Sequence, residues 1–177
     1  MSKNWRITSL SGVLLAAYFI PTWATVAYHI IVSPVRGLFE RPSVSVALFL
    51  SDHLQLASTT TVRFAWLLAL GRLTVVAFLV LFLLLALRAA IRKTGSGDEA
   101  LAIALGIGSI ISFASMILAS QVGEAEALRL HASELLVMLG TIVLMVFDTP
   151  AKEPVPANAD AASSELALEK TQLGYNS

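Results

Sequence analysis

Four long apolar blocks, separated by short polar segments, make up most of this chain. They run over about 9–31, 64–87, 100–120 and 125–147, each close to the roughly 20 residues that cross a hydrocarbon core as a helix. The pattern predicts an all-α, polytopic membrane protein: a four-helix transmembrane bundle over 1–148, followed by a tail over 149–177. Pro21 lies inside the first block, removes one helix hydrogen bond and predicts a kink there. Lys3 and Arg6 precede the block as in a secretory signal, and "TWAT" after Pro21 is a weak cleavage motif. The apolar run nevertheless continues through "VAYHII", longer than a signal core, so an uncleaved first span is expected.

The polar segments carry the rest of the architecture. Between the first two blocks, "VSPVRGLFERPSVSVALFLSDHLQLASTTT" opens as a loop with two prolines. Residues 43–57 are expected to form a short interfacial helix, with Ser45, Asp52 and Gln55 on one face. A strand-like or re-entrant reading of "SVSVALFL" competes with it. The threonines before the second span suit a helix start, and Arg88, Arg92 and Lys93 suit its end. A turn, "KTGSGDE", leads to Asp98 and Glu99 at the head of the third span. After Pro150 the prolines, alanines and small polar residues cannot bury a core, so the tail is expected to be disordered.

Charge refines this picture. Only 14% of residues are charged, against about 25% in a soluble domain, and formal net charge is zero. With no basic stripe interleaved with aromatics, nucleic-acid binding is not expected. Cysteine is absent, which excludes disulfides, thiolate nucleophiles, iron–sulfur ligation and covalent c-type haem attachment. Placing the N-terminus inside puts Lys3, Arg6, Arg88, Arg92, Lys93 and Lys152 on the cytoplasmic side, against Arg36, Arg41, Arg63 and Arg129 outside. Both termini are thus expected to be cytoplasmic, in an inner (cytoplasmic) membrane.

Two charges lie deep in the spans. Arg72 is nine residues past Arg63 and Glu134 ten past Glu124, about 13 and 15 Å at 1.5 Å per residue. Either alone costs roughly 2.5–3.5 kcal/mol in a bilayer, so such residues face the bundle and find partners. Arg72 and Glu134 are expected to form an intramembrane ion pair between the second and fourth spans, or to share a small polar pocket.

The segment "GEAEALRLHASELL" at the head of the fourth span is the most polar part of the membrane region. On a helical wheel Glu124 and His131 nearly eclipse, with Glu134 about 60° further round. Glu126 and Arg129 lie on the other side as an intrahelical pair. His29, His53 and His131 all belong to the same side of the membrane. With Glu124 and Glu134 they are weak candidates for a metal site, because no short ligand spacing such as H-E-x-x-H is present. Two facing imidazoles for a haem would have to be His29 and His131. No metal or cofactor is expected.

The third span repeats small residues at Ala104, Gly108 and Ser112, continued by Ser115 and Ala119, a pattern that lets helices approach closely in lipid. It predicts a buried helix or one that binds a protein partner or a second copy. Neither "GIGS" nor "KTGSG" has the setting of a phosphate-binding loop, and no catalytic motif appears. The composition and motifs fit a non-catalytic accessory, assembly or regulatory subunit of a larger membrane complex. The alternative is a small transporter or channel subunit, proton-linked through His131, Glu134 and Arg72. A membrane enzyme using the outer histidines and carboxylates is a third reading.

Overall fold

The computed structural model describes residues 7–55, 57–87 and 96–148, and every regular element among them is helical. These elements are α1 (Ile7–Val32), α2 (Pro34–Leu38), α3 (Val44–Leu48), a π-helical turn (Phe49–His53), α4 (Ser58–Leu87), α5 (Ser96–Val122) and α6 (Ala125–Asp148). Four of them, α1, α4, α5 and α6, are long and apolar enough to cross a membrane. They alternate in direction and pack in a ring, α1 on α4, α4 on α5 and α5 on α6, with a thinner seam closing α6 on α1. One end of the bundle therefore carries the 33–57 connection and the α5–α6 corner; it is called the loop end below.

Local chemistry sets the element ends. Gly123 takes φ +75°, and the Glu124 N–H reaches back to the Ala119 carbonyl at 3.0 Å. This is a Schellman closure of α5. The Glu124 carbonyl then accepts from the Leu128 N–H at 3.0 Å, so one residue ends α5 and begins α6. At the start of α4 the threonines stand inside the first turns rather than before them. The N–H groups of Thr60 and Thr61 bond the Ala57 carbonyl, which moves the helix start six residues upstream of the expected boundary. The α1 helix runs through Pro21 without a break. There the hydroxyls of Thr22 and Thr25 donate to the Tyr18 and Pro21 carbonyls at 2.8 and 2.7 Å, supplying hydrogen bonds around the missing N–H.

The 43–53 stretch is helical, as α3 and the π-helical turn, and packs on the bundle. Ser43, Ser45, Val46, Ala47 and Leu50 are buried, and α3 packs against α5. The chain after α2 thus folds back against the mouth of the bundle. Ser45 turns inward while Asp52 and Gln55 are exposed, so the polar face proposed from the wheel is split by the change to π-helical winding. Gly37 permits the return: a Cβ there would stand 2.7 Å from the backbone of His29 and Ile30.

Apolar side chains form two cores. One, at the loop end, joins Ala27 and Ile30 of α1, Leu38, Ala47 and Leu50 of the inserted segment, and Ala69 of α4. The other, in the far half, joins Phe19, Leu79, Phe82, Leu101, Leu105 and Met138. A layer of polar residues separates them. The tail over 149–177, the cations Lys3, Arg6, Arg88, Arg92, Lys93 and Lys152, and the first three residues of the "KTGSGDE" turn lie outside the described residues.

Candidate functional site

Helix direction brings the layer together. Side chains lean toward the N-terminus of their helix, and both α4 and α6 begin at the loop end. Arg72, Glu134 and His131 therefore lean toward that end, while Trp23 on α1 and Ser112 on α5 lean away from it. The two sets meet about 13–15 Å below the loop end, judged from Trp23, Glu134 and Ser112 at 1.5 Å per residue.

Arg72, only 2% exposed, grips the inserted segment. Its Nη1 donates to Ser43 Oγ at 3.1 Å and its Nη2 to the Pro42 carbonyl at 3.0 Å. Its Cζ lies 5.8 Å from the centroid of the Trp23 ring, within cation–π range. Phe19 meets that ring edge-on at 5.4 Å and fixes its orientation.

Glu134, 8% exposed, accepts from three helices. Trp23 Nε1 donates to Oε1 at 3.1 Å. Ser112 Oγ donates to Oε2 at 3.2 Å, and His131 Nδ1 lies 3.0 Å from the same oxygen. A carboxylate only accepts, so the shared hydrogen is on Nδ1; the other ring nitrogen, Nε2, accepts in the neutral ring and donates in the imidazolium. Among the described residues that Nε2 has no partner, nor do Arg72 Nε, Ser45 Oγ and Ser109 Oγ.

Arg72 and Glu134 thus do not form the direct ion pair expected of them: neither has the other among its close polar partners. The reason is Trp23, which presents its face to the guanidinium and its N–H to the carboxylate. The charges share one layer with an indole joining them. Such mediation keeps each charge hydrogen-bonded, which is what makes a buried ion tolerable.

The remaining residues expected at a site are dispersed. His29 Nδ1 lies 2.8 Å from Glu40 Oε2, tying the end of α1 to the connection after α2. His53 stacks on Phe49 at 5.0 Å. Glu124 lines an open cavity of about 400 Å³ at the loop end, together with Phe39, Arg41, Val44, Ala127 and Leu130. Among the described residues no three His, Asp or Glu side chains converge as metal ligands, so His29, His53, His131, Glu124 and Glu134 are not one site. His29 and His131 also face different carboxylates, which removes the haem pair. Glu126 pairs loosely with Arg41 at 3.9 Å, across the cavity mouth, rather than with Arg129.

Ala104, Gly108, Ser112 and Ser115 are all buried inside this chain. A Cβ on Gly108 would stand 2.8 Å from Met138 Sδ, so the small face of α5 admits α6. Sequence reasoning missed Trp23, Pro42 and Ser43. An indole in an apolar run carries no sign of its partner, although serines at 43 and 45 in "SVSVALFL" were a signal that this run is not lipid-facing. No family model, curated protein or solved structure matches the chain.

Proposed function

We propose that this chain is a four-span protein of the inner (cytoplasmic) membrane, with both termini in the cytoplasm. We propose further that it is a non-catalytic accessory, assembly or regulatory subunit of a larger membrane complex. One observation carries the reading: the buried charges hold the protein's own parts together. Arg72 clamps the inserted segment through Ser43 and Pro42, and Glu134 ties α1, α5 and α6 into one unit. A bundle fastened in this way is a rigid body, suited to presenting its outer surface to lipid and to partner chains. The orientation rests on the distribution of lysine and arginine along the sequence.

Tagged protein extracted from native membranes in mild detergent tests this directly. Other chains co-purifying in fixed ratio are the expected result, and a particle containing this chain alone would overturn it. The transporter reading uses the same residues, His131, Glu134 and Arg72, and is favoured by the free nitrogen of His131. Against it, the far core of Phe19, Leu79, Phe82, Leu101 and Leu105 closes the bundle below them.

A further inference from the structure

The clamp leaves four polar atoms unexplained. Arg72 Nε, Ser45 Oγ, Ser109 Oγ and His131 Nε2 are buried and have no partner among the described residues. Arg72, Ser45 and His131 are each at most 2% exposed. Leaving a buried polar group without a partner is unfavourable, and four beside one clamp call for a shared partner. Each lies beside a member of the clamp. Ser45 is two residues from the Ser43 that Arg72 grips, Ser109 is one turn from the Ser112 that bonds Glu134, and His131 bonds Glu134 itself. Arg72 Nε donates only, the two serine hydroxyls donate and accept, and His131 Nε2 does one or the other with the ring's protonation. That mixture suits water, which does both, better than an ion of either sign.

The loop-end cavity supplies a route. It is lined by Val44, which stands between Ser43 and Ser45, by Ala127, one turn above His131 on the same helix face, and by Leu130, which precedes His131. Its volume of about 400 Å³ has room for on the order of ten waters. Below the layer stand Phe82, Leu101 and Leu105, each about 1% exposed or less, and the buried Thr141 hydroxyl is taken up by the Val137 carbonyl.

We infer that the polar layer is a water-binding site reached from the loop end alone, so that water meets His131 and Glu134 from that side of the membrane only. Bound water bridges the free atoms of Arg72, Ser45, Ser109 and His131. Arg72 and Glu134 are the charged members of the layer; α1, α3 and α5 contribute Trp23, Ser45, Ser109 and Ser112, none of them charged.

The test is transfer of magnetisation from water to side chains, measured by solid-state NMR on the isotopically labelled full chain in lipid bilayers. Transfer at Arg72 Nε and the His131 ring is expected to exceed that at the Leu101 and Leu105 methyls several-fold. Equally weak transfer at all four would show a dry layer, and equally strong transfer would show water running through the bundle; either overturns the inference. The route is tested by Leu130→Trp, which fills the cavity. Transfer at His131 should fall by more than half, whereas unchanged transfer would exclude the loop-end entrance.

Discussion

Trp23 carries two interactions with one ring: its face lies against the Arg72 guanidinium and its N–H donates to Glu134. Replacing it by Phe keeps the ring and deletes the donor. Trp23→Phe is therefore expected to lower stability by about 1–3 kcal/mol, the cost of a buried acceptor losing one bond, read as a reduced thermal midpoint in detergent. An unchanged midpoint would mean that Ser112 and His131 satisfy the carboxylate without it. Arg72→Gln and Glu134→Gln should each cost more, about 3–5 kcal/mol, because each strands the opposite charge in a desolvated layer. The double substitution should cost less than the sum of the two. Strict additivity would show that the charges do not interact through the indole.

Helix contacts set the next scale, and two glycines distinguish close approach from mere tolerance. At Gly37 an added Cβ meets main chain of α1 at 2.7 Å, which cannot swing aside. Gly37→Ala should displace α2 and the inserted segment behind it, costing at least about 1–3 kcal/mol and lowering accumulation. At Gly106 nothing lies within 4 Å. Gly106→Ala should leave the fold unchanged and stabilise α5 by up to about 1 kcal/mol, since alanine restricts the unfolded chain. A melting comparison of the two variants separates them, and equal losses would contradict the packing described. The elements themselves follow from physics legible in the chain, because apolar blocks of span length have few alternatives to helix in a bilayer. The inserted segment was harder to read, since "SVSVALFL" is short enough to suit an interfacial helix, a strand or a re-entrant turn. In the structure it is helical and buried against α5, which removes the strand.

For the whole molecule the alternation of helices makes a prediction about sides. Asp52 and Glu126 stand at the loop end and Glu99 at the head of α5, at the other. All three are exposed. The natural chain has no cysteine, so Asp52→Cys, Glu126→Cys and Glu99→Cys each introduce a unique label. In sealed vesicles an impermeant thiol reagent should modify the first two from one side and the third from the other. Labelling of Asp52→Cys and Glu126→Cys from opposite sides would break the up-and-down order.

By itself the sequence determined four helices, their approximate ends, and the near-equal depth of Arg72 and Glu134, because hydropathy, helix rise and the cost of charge in lipid act locally and are read along one chain. It also marked Ala104, Gly108, Ser112 and Ser115 as a close-packing face. Only the tertiary structure decided what meets what. It put an indole between the two charges, turned Ser43 onto the guanidinium, and sent His29, His53 and His131 to separate partners. Those choices depend on helix rotation and on how far the 42–50 segment enters the bundle, quantities set by packing among all six helices and written in no single stretch of the chain.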